Sequence, residues 1–136
     1  MNGEALKDRV PPHNNDAEAA TLGAILLDPE ALDRVLVYLR PDDFYRNANG
    51  RIFQAILNIA DRAEEIDLIT VTQELRSEGA LDVVGGAAYV SSLTGAVPTS
   101  ANVEYYARIV QEASLRRKLL RVSNEIISTI YDDTRE

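Results

Sequence analysis

From Ala101 to about Tyr131 the chain reads "ANVEYYARIVQEASLRRKLLRVSNEIISTIY", without a single glycine or proline. A helix over that span is roughly 46 Å long at 1.5 Å per residue. The roughly 100 residues before it form a globule whose radius of gyration is only about 13 Å, so part of the helix is predicted to project. Its apolar residues fall in two stripes. One runs through Val103, Tyr106, Val110, Ala113, Leu120, Ile127 and Tyr131, the other through Tyr105, Ile109, Leu115, Leu119, Val122, Ile126 and Ile130. One stripe can pack on the body. A projecting length that is apolar on two sides needs a further partner, either a second copy of the chain or a continuation of it beyond Glu136.

The preceding residues read as short helices. Residues 1–12 mix charges ahead of Pro11-Pro12 and are expected to form a mobile arm. Residues 13–100 make up a helical head. Within it, Asp16 is a good N-cap for a helix carrying Leu22, Gly23, Ile25 and Leu26. "DPEALDRVLVYL" places Asp28 as a cap with Pro29 at the first helical position. Asn47 can cap a helix that runs to about Arg62 and turns Ile52, Phe53, Ile56 and Ile59 inward. Thr70 and Gln73 fit a capping box, with Gly79 as the stop. Gly85-Gly86 turns the chain into the short helix "AAYVSSL", and Ser100 caps the final segment. "IDLITVT" is locally strand-like, but no period-two stretch is long enough to demand a sheet. The expected fold is all-α: a compact head of about five short helices over 13–100, then one long projecting helix over 101–136.

The residue inventory excludes most chemistry. The 136 residues include no cysteine and one histidine, too few N and S ligands for a zinc site. No Gly-x-Ser-x-Gly turn surrounds His13, which reads as the lead-in to the first helix. The adjacent acids Asp42-Asp43, Glu64-Glu65 and Asp132-Asp133 read as solvated turn residues rather than a converging carboxylate pair. No phosphate-cradling glycine loop is present, so neither a nucleotide nor a metal cofactor is expected. The net charge is −8, which argues against a phosphate-gripping domain. Residues 1–100 hold 16 acids and 8 bases, residues 101–136 six of each, so the whole excess lies in the head. Arg108, Arg116, Arg117, Lys118 and Arg121 cluster on the last helix with only Glu112 among them, a face suited to an interface more than to a nucleic-acid groove. No segment is long and apolar enough to span a bilayer, and the chain reads as cytoplasmic.

Taken together, "PPHNNDAEAATLGAILLDPEAL", "LRPDDFYRNANGRIFQAI", "DLITVTQEL", "GGAAYVSSLTGAVPTSANVEYYARIV" and "SLRRKLLR" resemble, in register, the N-terminal domain of the bacterial hexameric replicative DNA helicases. The similarity runs from Val10 to about Tyr131. Asn49-Gly50 stands where many relatives carry His-Gln, and Gly50 is expected to loosen its helix by up to about 1 kcal/mol. The resemblance implies a non-catalytic collar, with the long helix as first arm of a helical hairpin that pairs subunits into a trimer of dimers. It also implies docking of primase, a helicase loader as a further candidate partner, and only indirect contact with DNA. ATP and Mg²⁺ would belong to a motor domain absent after Glu136. By position, Tyr106, Arg117, Leu120, Ile127 and Tyr131 are candidates for self-association, and Asp16, Asp82 and Tyr89 for primase. Two other readings are the helicase-binding domain of primase, which has a related helical architecture, and a helical nucleic-acid-contacting module.

Overall fold

The structure, a computed structural model, describes residues 9–132. Most of the arm expected over 1–12, and Asp133, lie outside the described residues. Among the described residues the chain forms α1 (Asn15–Leu27), α2 (Ala31–Leu36), α3 (Asn47–Asp61), α4 (Leu68–Ser77), α5 (Gly86–Ser92) and α6 (Val103–Ile130), with single 3-10 turns at Pro41–Asp43, Leu93–Gly95 and Ser100–Asn102. There is no strand among them. Five short helices and one long one are what the sequence predicts.

The head is built around α1, where every residue from Ala17 to Leu26 except Ala19 is buried. A helix apolar on all sides has to sit at the centre, and α1 packs against α2, α3, α6 and the Leu93–Gly95 turn. Gly23 makes the last of these contacts possible. A Cβ at that position would lie 2.0 Å from the Leu93 carbonyl oxygen, so the turn can lie against the helix only because the side chain is missing. Around α1, α3 contributes Ile52, Phe53, Ala55, Ile56 and Ile59, all buried. Val71 and Leu75 from α4 and Val90 from α5 complete the core.

The helix boundaries are where the sequence reading needs correction. The cap of α1 is Asn14, whose Oδ1 accepts from the Ala17 N–H at 2.9 Å, not Asp16, which lies in the first turn. Pro29 precedes α2 in a turn, and Asp28 Oδ1 accepts from the Glu30 N–H at 3.2 Å. At α4 the capping box is formed by Asp67 and Thr70 rather than Thr70 and Gln73: each side chain accepts from the other's N–H, at 2.8 and 2.9 Å. That box converts the β-branched run "IDLITVT" into a helix start. Ser100 does not cap α6. Its hydroxyl donates to Asp28 Oδ2 at 3.1 Å, while Thr99 accepts from the Ala101 N–H. Gly79 stops α4 as expected, at φ +70. The same paired return of N–H groups ends α3 with Ala63 in the left-handed position, at φ 55.

Helix α6 has 28 residues, about 42 Å at 1.5 Å per residue. Val103, Ala107, Val110 and Ser114 are buried against the head. Every residue from Lys118 to Tyr131 is exposed. The rod is held by its first half and free of the head in its second.

Candidate protein-interaction surface

Helical geometry explains why the distal half does not fold back. At about 100° per residue, the buried line Val103–Ala107–Val110–Ser114 continues into Arg121, Glu125 and Ser128, so the face that would meet the head is polar. The apolar residues lie to either side of it. Leu115, Leu119, Val122, Ile126 and Ile130, 50 to 72% exposed, share one flank. Leu120, Ile127 and Tyr131, at 48, 52 and 80%, share the other. Tyr106, Ala113, Leu120 and Ile127 are seven residues apart, and a straight helix drifts by about 20° per heptad. That drift turns the line off the head, so Tyr106 is partly buried against the core while Ile127 is bare. The first flank runs into an open cleft of 660 Å³ between α6 and the end of α2, lined by Leu36, Val37, Arg40, Leu115 and others.

At the point of departure the contacts are polar. Asp43 is 7% exposed. Its Oδ1 accepts from the Ser114 hydroxyl at 2.7 Å and from Lys118 Nζ at 3.0 Å, and its Oδ2 accepts from the Arg40 N–H at 2.8 Å. Burial pushes this carboxyl up, but the Ser114, Arg40 and Lys118 donors outweigh it and hold it below its ordinary value. Arg117 donates to the carbonyls of Asp43 at 2.7 Å and Pro12 at 2.9 Å, and its guanidinium lies over the Tyr45 ring. Asp43 is therefore not the solvated turn residue that Asp42-Asp43 reads as, although Asp42 is exposed. Of the five cations in the basic cluster, four are engaged within the chain, and Arg121 is exposed. Arg108 donates to the Tyr38 hydroxyl, Arg116 pairs with Glu112 at 2.9 Å, and Arg117 and Lys118 serve Asp43. A groove-reading helix needs its charges available for phosphates.

A second polar centre lies at the start of α3. Glu18 of α1 is 1% exposed. It accepts from the N–H groups of Tyr45 at 2.7 Å and Arg46 at 3.3 Å, and from Asn49 Nδ2 at 2.9 Å. This carboxylate, not Asn47, faces the unpaired N–H groups and positive dipole end of α3. Asn49 Oδ1 in turn accepts from the Tyr89 hydroxyl, and Arg46 lies 4.4 Å over the Tyr89 ring. Burial raises the Tyr89 phenol above its ordinary value. Asn49 thus links three helices, and the bare Cα of Gly50 leaves room for the Pro41 carbonyl, 3.0 Å from where its Cβ would sit. His13 lies in the lead-in to α1, stacked on Tyr45 at 4.2 Å, with Nδ1 placed to donate to the Pro11 carbonyl.

The candidate residues thus fall into distinct settings. Leu120, Ile127 and Tyr131 are together and exposed, Tyr106 packs on the head, and Arg117 is committed within the chain. Asp16 and Asp82 are exposed, on the first turn of α1 and in the turn before α5, while Tyr89 is half-buried. Tyr89 reaches the α1 end through Asn49 and Glu18. Sequence reasoning missed Glu18, Asn49, Asp43 and Ser114 as fixed points. Apart from the Arg40 N–H on Asp43, their partners lie 27 to 75 residues away, beyond any local pattern.

Comparison with known proteins agrees with this architecture. The family model described as the DnaB-like helicase N-terminal domain matches residues 10–112. The chain is 50% identical over 133 residues to the replicative DNA helicase DnaB of Geobacillus stearothermophilus and 47% identical over 133 residues to the replicative DNA helicase DnaC of Bacillus subtilis. It covers 98% of itself and 29% of the relative in each case, so it spans under a third of their length. Among solved structures, the N-terminal domain of DnaB helicase from Mycobacterium tuberculosis superposes with a TM-score of 0.90 at 40% identity, covering 93% of this chain and 90% of that one. The corresponding domain from Helicobacter pylori, described with its interactions with primase, superposes at 0.73 with 22% identity, covering 97% and 100%, a likeness of fold. The chain belongs to the DnaB-like helicase N-terminal domain family.

Proposed function

We propose that this chain is a non-catalytic assembly and docking domain of a cytoplasmic, ATP-dependent replicative DNA helicase. In this reading the distal half of α6 pairs with a second copy, chiefly through Leu120, Ile127 and Tyr131. Such dimers build a hexameric collar as a trimer of dimers, and the outer face near Asp16, Asp82 and Tyr89 receives primase. ATP and Mg²⁺ belong to a separate motor domain, and a loader is a second candidate partner. The observation that carries the reading is the bare distal half of α6, apolar on two flanks and polar on the side that would meet its own head. Exposed apolar surface of that extent marks a protein interface. Supporting the primase half is the Helicobacter pylori domain of the same fold, described with its interactions with primase.

Light scattering over a concentration series tests the assembly half: mass should rise toward that of a dimer, and a strict monomer near millimolar concentration contradicts it. Repeating the series with the chain extended past Glu136 is the control, since a second helix packed on α6 would strengthen pairing. Titration with the C-terminal domain of the cognate primase tests docking. Saturable binding that Asp16→Arg with Asp82→Arg weakens, without loss of helix signal, is the expected result. Absence of binding by the unaltered chain contradicts it.

A further inference from the structure

We infer that Asp43 and Arg117 form a locking joint that sets the direction in which the distal half of α6 leaves the head, and that residues 10–13 are the strap that closes it. Three residues on one side of α6, Ser114, Arg117 and Lys118, converge on a single residue of the Pro41–Asp43 turn. That residue is anchored below by the Arg40 N–H and beside it by buried Phe44. Ser114 is the last residue of α6 to be buried, and from Lys118 onward the helix has no core contact. The joint is therefore the final constraint before a lever of 12 residues to Ile130, about 18 Å at 1.5 Å per residue. A swing of about 20° at its base moves the tip by about 6 Å on such a lever, enough to change which surfaces two copies or a partner can bring together.

The strap enters through the same guanidinium. Arg117 divides its donors between the Asp43 carbonyl and the Pro12 carbonyl, and His13 is stacked on the Tyr45 ring over which Arg117 also lies. When residues 10–13 lie in place, Arg117 is fixed at both ends. When they are drawn off Tyr45, one of its two carbonyl partners goes with them. The side chains that couple the lead-in to α6 lie on the head side of the helix, whereas the apolar flanks face away, so the joint works without occupying the surface proposed for pairing.

The chain has no cysteine, so Gln73→Cys on α4 and Ser128→Cys on distal α6 accept a pair of spin labels at two exposed positions. Pulsed electron resonance on this chain, diluted in excess unlabelled chain so that only distances within one molecule are read, gives a single narrow peak in the account proposed. Asp43→Ala broadens and shifts it, and Arg116→Ala, which removes only an exposed pair with Glu112, leaves it unchanged. His13→Ala, which removes only the ring stacked on Tyr45, broadens it through the strap alone. If Asp43→Ala fails to fold by its helix signal, Ser114→Ala with Lys118→Ala is read in its place. An unshifted narrow peak in whichever folded joint variant is read overturns the joint, and an unshifted peak in the His13 variant overturns the strap. All variants are read at the same excess of unlabelled chain, so the comparison between them is made at one state of self-association.

Discussion

The head and the distal half of α6 are made from similar proportions of apolar side chains but arranged by opposite rules. In the head, apolar residues face one another and the buried polar groups are all answered: among the described residues no buried side-chain nitrogen or oxygen lacks a partner. In the distal half, the apolar residues are on the outside and the polar ones on the inner line. The first arrangement is complete in one chain. The second is complete only with another chain or another segment against it, because exposed apolar area of roughly this kind gains about 25 cal/mol per Å² on burial. The difference teaches where to look for function: in the region whose pattern makes sense only as half of something.

Several substitutions break or sharpen that contrast. The largest effect is expected from Gly23→Ala, which places a methyl against a backbone oxygen, the closest approach found at any glycine of the described residues. Overpacking of that kind costs about 3 kcal/mol or more, far above the up to about 1 kcal/mol that alanine gains over glycine in a helix, and thermal unfolding would read it directly. Glu18→Ala comes next, since it leaves the Tyr45 and Arg46 N–H groups and Asn49 unanswered in a buried place; a loss of about 3 kcal/mol is expected in denaturant titrations.

Asp43→Asn should cost about 1.5 kcal/mol by weakening charge-assisted bonds and should also alter the acid response. Because the folded carboxyl titrates below its unfolded value of about 3.9, its stabilisation is fully present above that value and lost as pH falls through the lower, folded one. The wild type should therefore lose more stability than Asp43→Asn between about pH 4 and pH 2. Equal losses would remove Asp43 from the account. Ala63→Gly, at a left-handed position, should stabilise the head by about 0.7 kcal/mol. Leu120→Ser with Ile127→Ser is expected to change monomer stability by less than about 0.5 kcal/mol, while lowering self-association by about tenfold or more; a destabilised monomer would mean these residues pack within the chain.

The legible part of the molecule was the part governed by local spacing. The uninterrupted run after Ala101, the 3.6-residue periodicity of Ile52, Phe53, Ile56 and Ile59, and the glycine stop at Gly79 each follow from the nearest neighbours in the chain. Capping was less legible because several residues compete at each helix start: Asn14 with Asp16, Asp67 with Thr70, Thr99 with Ser100. Geometry, not residue type, decides between them. The polar joints were not legible at all. Asp43 and its neighbour Asp42 are the same residue in sequence, and only the arrival of Ser114 and Lys118 from α6 makes one of them buried. Of the candidate surface, the exposed flanks could be read from the helix pattern, but the commitment of Arg117 to the head could not, since it depends on Pro12, 105 residues away.

The central claim is that the head is stable alone whereas distal α6 acquires its stability from a partner. Amide hydrogen exchange across a concentration series measures both regions in one experiment. Protection of residues 122–130 should be weak in dilute chain and rise steeply as the concentration passes the pairing range, while protection of α1 and α3 stays constant. Protection of 122–130 that is strong and independent of concentration would contradict the account, because the distal helix would then be holding itself together without a second chain.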